Sequence, residues 1–137
     1  AAVSAEANAA ELRSDPALLR DYRGALADDR FEYLRNRFTC GRLECWSTWR
    51  GLRDRYPQGP IQADCKQLVG AHAAYLLETT CLPVWVGIRV GRVVAHAVCG
   101  VEEGGRIRLM DPSVAAGMEP LPNYDGIQWM QVRGRRC

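Results

Sequence analysis

The chain has 137 residues, 47% hydrophobic and 25% charged, with 18 basic against 16 acidic side chains and a formal charge of +2. That composition fits one domain, 1–137, whose single core buries roughly two-thirds of the unfolded surface. It excludes a second catalytic domain. It also offers no strongly charged surface for nucleic acid, and no run near 18 apolar residues for a membrane span. The alanine-rich start at Ala1–Ala10 has neither a basic stretch nor an apolar centre, so it does not read as a signal peptide.

Residues 1–56 read as a mainly helical N-terminal part. Within it, 1–37 is helical in character, and Ser14-Asp15-Pro16 offers a cap followed by a first-turn proline. Leu18, Leu19, Tyr22 and Leu26, then Phe31, Tyr33, Leu34 and Phe38, recur near helical spacing. Gly24 or Asp28-Asp29 divides this stretch into two helices. Another short helix is predicted over Leu43 to Tyr56, carrying Trp46, Trp49 and Leu52, and Tyr56-Pro57-Gln58-Gly59-Pro60 ends it. Lys66 to Glu78 is a compact apolar helix, with Asp64 as N-cap and Cys65 in its first turn.

Beyond Thr80 the period changes to two. Strands are predicted at Val84–Val90, Val93–Val101, Ile107–Met110 and Ile127–Val132, with Pro112 stopping the third. The fold class is therefore α+β, with N-terminal helices and a central helix packed on an antiparallel β-sheet.

The chemistry gathers on three residues. The thiolate is the reactive form of cysteine, and a helix N-terminus favours it through unpaired amides and the helix dipole, which places Cys65 well. The adjacent Asp64 carboxylate opposes this, less so if it turns toward the amides it caps. His96 lies mid-strand among valines, where a histidine needs a partner. A turn centred on Glu103-Gly104, or a four-residue loop Glu102 to Gly105, sets Asp111 directly opposite it; a turn at Gly104-Gly105 shifts that pairing. His72 falls seven residues after Cys65 on the same helix, about 10 Å along the axis, and reads as structural.

Six cysteines (Cys40, Cys45, Cys65, Cys81, Cys99 and Cys137) suffice for three disulfides. Because the apolar content can build a core without them, reduced cysteines in a cytoplasmic protein are the favoured reading. Secretion or delivery as a toxin domain stays open. Cys40, Cys45, His96 and Cys99 are the best available zinc ligands, but their spacing is too loose to expect a metal site. No glycine-rich nucleotide motif occurs, so no cofactor is expected. Arg133, Arg135 and Arg136, without interleaved aromatics, do not argue for nucleic acid.

Within residues 57–114, Ala63-Asp64-Cys65 opening a helix, Leu82-Pro83-Val84, Val94-Ala95-His96-Ala97 and Leu109-Met110-Asp111-Pro112 occur in this order. The spacings are 31 and 15 residues between Cys65, His96 and Asp111. In these elements the chain resembles the transglutaminase-like superfamily, a branch of papain-like cysteine enzymes. The resemblance implies a transglutaminase-like core with Cys65, His96 and Asp111 as catalytic triad. It further implies an oxyanion-binding side chain, for which Trp46, Trp49, Gln58 and Gln62 are the candidates. The implied activity is thiol hydrolysis of amide or peptide bonds through a thioester (peptidase, amidase or protein deamidase). Alternatives are protein-glutamine acyl transfer and a non-catalytic adaptor keeping the fold. The expected partner is a protein or peptide substrate, with no nucleic acid or membrane, and residues 31–49 offer an aromatic surface for a protein partner.

Overall fold

The computed structural model describes residues 2–34, 47–92 and 95–134. The chain runs α1 (Ala2–Ser14), α2 (Pro16–Ala27), β1 (Phe31–Tyr33), α3 (Trp49–Arg55), β2 (Ile61–Ala63), α4 (Cys65–Thr79), β3 (Val84–Val90), β4 (Ala95–Glu103), β5 (Arg106–Met110), α5 (Pro112–Ala115) and β6 (Gln128–Gln131). Several helices pack against an antiparallel four-stranded sheet in the order β5-β4-β3-β6, which is the α+β layering expected from the change of period. A separate two-stranded sheet joins β1 and β2 in parallel.

Local chemistry sets the helix ends. Asp15 caps α2 by accepting from the Ala17 amide at 3.0 Å, and Pro16 occupies the first turn, where its missing N–H is no loss. The break between the first two helices therefore falls at Asp15. Gly24, which the sequence offered as the divider, lies inside α2. The Asp28 amide closes α2 onto the Gly24 and Leu26 carbonyls, and Asp29 then adopts φ +52°, turning the chain out of the helix.

Residues 31–33 form a strand, which corrects the helix that their apolar spacing predicts. The Ile61 amide donates to the Arg30 carbonyl at 2.8 Å, and the Arg30 side chain donates to the Gly59 and Tyr56 carbonyls, both at 3.0 Å. These contacts pull Phe31–Tyr33 into register with Ile61–Ala63. Pairing with a distant segment has overridden local spacing, as tertiary contacts commonly do. In the helix predicted over Leu43–Tyr56, α3 covers the second half, and residues 43–46 lie outside the described residues.

The central helix agrees closely with its reading. Asp64 accepts from the Gln67 amide at 2.9 Å while the Gln67 side-chain oxygen accepts from the Asp64 amide at 3.0 Å, a reciprocal capping box. One side of α4 packs on β4 and β3, and α1 lies along another. Helix α1 approaches closely because it presents Ala2, Ala5 and Ala9, and because Gly70 faces it. A Cβ on Gly70 would sit 2.5 Å from Ser4 Oγ. Asn8, buried in this seam, donates to the Ser4 carbonyl at 2.8 Å and accepts from the Trp49 amide at 2.7 Å, tying α1 to the start of α3.

The β4–β5 hairpin fixes the site. Glu103 pairs with Arg106 and Cys99 with Met110, so the two turn residues are Gly104 (φ +57°) and Gly105 (φ +76°). A two-residue hairpin turn with both central φ values positive is the type that matches strand twist, and glycine adopts it without penalty. The turn centred on Glu103-Gly104, which would set Asp111 directly opposite His96, is thereby corrected. The strands are offset by two residues, and Asp111 lies one residue past the end of β5, level with Val98. A two-residue offset, unlike a one-residue slip, preserves the sheet face, so His96 and Asp111 remain diagonal neighbours.

Candidate active site

Three elements bring the site together. Helix α4 supplies Cys65 at its first position, β4 supplies His96 near its start, and the junction of β5 with α5 supplies Asp111. His96 Nε2 lies 2.9 Å from Asp111 Oδ2. The Cys65 side chain lies near enough to the same ring to help raise its pKa. With Nε2 turned to the carboxylate, Nδ1 is the ring nitrogen remaining for the sulfur. Of the residues singled out for chemistry, His96 and Asp111 are in hydrogen-bond contact, and Cys65 lies near enough to the ring to affect its titration.

Electrostatics follow from burial and pairing. His96 is 8% exposed. Desolvation alone would lower its pKa, but the hydrogen bond to Asp111 and the nearby Cys65 side chain, with the attraction of both, raise it to about 9. Burial pushes the Asp111 carboxyl up, and the opposing bonds from His96, Tyr124 and the Ser113 amide leave it below its ordinary value. An imidazolium held against a carboxylate is thus the favoured charge state near neutral pH.

Asp111 has two jobs that its two oxygens divide. Oδ1 accepts from the Ser113 amide at 3.2 Å and caps α5, while Oδ2 takes both His96 and the Tyr124 hydroxyl, the latter at 2.8 Å. The cap holds the carboxylate in one orientation, which in turn orients the ring. Sequence reasoning missed both the capping role and Tyr124. The cap had a legible signal, because Asp111-Pro112 repeats the Asp15-Pro16 pattern read as a helix start upstream. Tyr124 had none, since it sits in a loop whose approach to Asp111 is set by tertiary structure.

The other candidates fall elsewhere. Trp49 is 2% exposed and its indole N–H donates to the Leu18 carbonyl at 2.9 Å, so its donor is committed within the core. Gln58 is exposed in the bend after α3, and Gln62 is exposed on β2 between buried Ile61 and Ala63. Trp46, Cys40, Cys45 and Cys137 lie outside the described residues, as does much of the aromatic segment 31–49. Among its described members Phe31 and Trp49 pack inward with Tyr22, at ring centroid separations of 5.6 Å and 5.3 Å.

His72 accepts or donates one hydrogen bond at Nδ1 with the Tyr22 hydroxyl, at 2.9 Å, and burial lowers its pKa to about 4. Cys65 and Cys99 are free thiols. Burial, followed by the nearby Asp111 charge, pushes Cys99 up to about 12, so it stays a protonated core residue. Cys81 is disulfide-bonded, which corrects the reading of uniformly reduced cysteines. Among the described residues no group of three or more His, Cys, Asp or Glu side chains is placed to hold a metal ion, and no helix is long and apolar enough to cross a membrane.

Comparison with protein-family models, with curated proteins and with solved structures finds no match to this chain.

Proposed function

We propose that this protein is a cysteine hydrolase with a transglutaminase-like core, cleaving amide or peptide bonds through a thioester. The observation that carries the reading is the His96–Asp111 hydrogen bond at 2.9 Å, between a strand and a helix cap, with Cys65 at the start of a helix near enough to act on the same ring. His96 already holds the proton as an imidazolium, and Cys65 attacks the substrate carbonyl carbon as the thiolate paired with it. Charge developing on the carbonyl oxygen meets the backbone amides at the N-terminus of α4, where the first turn has N–H groups without intrahelical acceptors. His96 passes its proton to the departing amine as the C–N bond breaks, leaving a thioester on Cys65. Water then attacks the thioester, His96 takes its proton, and the acid product leaves as the thiolate re-forms beside the imidazolium. Asp111 holds the ring in position throughout and offsets its charge.

The substrate class that fits is a peptide, protein side-chain amide or small amide. An amine in place of water in the second half would make the same thioester an acyl donor. The buried Asp64 carboxylate beside Cys65 opposes a thiolate, but its Oδ1 is turned to the Gln67 amide and Lys66 Nζ lies 3.5 Å from Oδ2. Both contacts draw that charge away from the sulfur.

Alkylation by iodoacetamide near neutral pH, read by peptide mass spectrometry, tests the assignment. Cys65 is expected to be modified faster than an exposed reference thiol, and replacement of His96 by alanine to abolish the excess. Reactivity at Cys65 no greater than the reference would favour the non-catalytic adaptor instead.

A further inference from the structure

Beside the Cys65–His96–Asp111 series lies a cavity of about 300 Å³, bounded by α2, β1, α4 and α5. Tyr22 and Phe31 form one wall, Leu68 and His72 of α4 a second, and Met110 with the Asp111-Pro112 junction a third. Two features connect it to the chemistry. Leu68 follows Cys65 by three residues on α4, so the cavity opens within about 5 Å of the sulfur's level along the helix axis. Asp111 belongs both to its wall and to the hydrogen-bonded pair with His96. Its size lies at the lower end for small-ligand sites, enough for one large side chain.

We infer that this cavity is the specificity subsite of the enzyme and takes an aromatic side chain carried next to the bond that Cys65 attacks. The inference rests on the hydrolase reading above. Its walls are what an aromatic ring selects: two aromatic faces for tilted stacking, a thioether, and an aliphatic leucine. Polar groups in the lining limit the alternatives. Asp29 is part of its lining, and with Asp28, Arg30 and Glu32 it also lines the neighbouring groove. The three carboxylates outnumber the Arg30 guanidinium, which is bonded to the Gly59 and Tyr56 carbonyls, so an anionic side chain is disfavoured. Asp111 is committed to His96, Tyr124 and the α5 cap. His72 is bonded to Tyr22 through Nδ1, and its Nε2 has no hydrogen-bond partner among the described residues. That ring can orient a neutral polar substituent, but it supplies no charge to bind.

A chloroacetamide series tests this directly, since Cys65 displaces chloride and forms one S–C bond whatever the amide substituent. N-benzyl, N-methyl and N-(4-carboxybenzyl) probes are compared on the full chain, each rate divided by that protein's own iodoacetamide rate. The benzyl probe is expected to label Cys65 at least tenfold faster than the methyl probe, and the carboxybenzyl probe to lose that advantage. Ala115, exposed on α5 at the cavity rim, is replaced by tryptophan to fill the space, and Ala115→Trp is expected to lower the benzyl-to-methyl ratio at least fivefold. Equal benzyl and methyl rates, or a ratio unmoved by Ala115→Trp, overturns the subsite. A second readout needs no reactive cysteine: benzamide is titrated while the His72 imidazole resonances are followed by NMR. Saturable shifts in the wild type that vanish in Ala115→Trp support the cavity even if iodoacetamide finds Cys65 inert, a result that would remove the hydrolase reading alone. Absence of saturable shifts in the wild type counts against the cavity itself.

Discussion

His96 and Asp111 meet at 2.9 Å across a diagonal of the β4–β5 hairpin, with the aspartate already beyond the last paired residue of its strand. Because Asp111 has left the ladder, its carboxylate is aimed by the α5 cap and by Tyr124 as well as by strand register.

Replacement of the three groups should therefore give graded losses. His96→Ala removes the base and should lower Cys65 alkylation on the order of 10² or more. Asp111→Asn keeps an oxygen acceptor but loses the charge that holds the ring, and should cost at least about tenfold. Tyr124→Phe removes one of two donors to Oδ2 and should cost less than either. Stopped-flow alkylation of the three variants at one pH gives the ranking, and a Tyr124→Phe loss as large as that of His96→Ala would contradict it.

The two histidines pull stability in opposite directions with pH. His96 titrates at about 9 in the folded protein against about 6.5 unfolded. Its contribution is fully present below pH 6.5 and disappears as pH rises through 9. His72 titrates at about 4, so its neutral form is favoured by folding, and the contribution present above pH 6.5 is lost as pH falls toward 4. Each is worth roughly 2–4 kcal/mol over its window. Urea denaturation from pH 4 to 9.5 should show greatest stability near pH 6.5. His96→Ala should flatten the alkaline side and His72→Phe the acid side.

Asn8 is a buried connector whose loss should be felt far from any site. Asn8→Ala leaves the Trp49 amide without its acceptor, and an orphaned buried N–H costs about 1–3 kcal/mol. Thermal unfolding of the variant measures it. A change too small to resolve would mean that Trp49 finds another partner.

Gly104 and Gly105 set the register that puts His96 and Asp111 together. Gly105→Ala forces a Cβ into a left-handed conformation and should cost about 1–2 kcal/mol. Gly104→Asn should be nearly neutral, because asparagine tolerates that region. The measurement is the pair of denaturation midpoints, read alongside the Cys65 alkylation rate.

Much of this arrangement could be read from local signals. The Asp64 cap, the Cys65 position, the helix after it and the central strands all depend on neighbours close in sequence, and each appears where spacing placed it. The failures share a different physics. Residues 31–33 carry apolar spacing that a helix would accept, yet pairing with Ile61–Ala63 and the Arg30 anchors on Gly59 and Tyr56 decided for a strand. The hairpin register turned on which pair of residues takes positive φ, and Gly-Gly wins over Glu-Gly because neither glycine resists it. Tyr124 reached Asp111 through a loop, where no periodicity points anywhere.

Cys65 and Cys81 stand at opposite ends of one stretch of chain, the first a free thiol beside His96 and the second in a disulfide just past the end of α4. Their needs conflict. A reductant strong enough to keep the nucleophile from oxidising also threatens the bond behind the helix, while an oxidant that protects the bond endangers the nucleophile. Handling the protein is thus a matter of finding a redox interval rather than a direction. A purification with excess dithiothreitol and one without any reductant would each deliver a different, and differently impaired, sample.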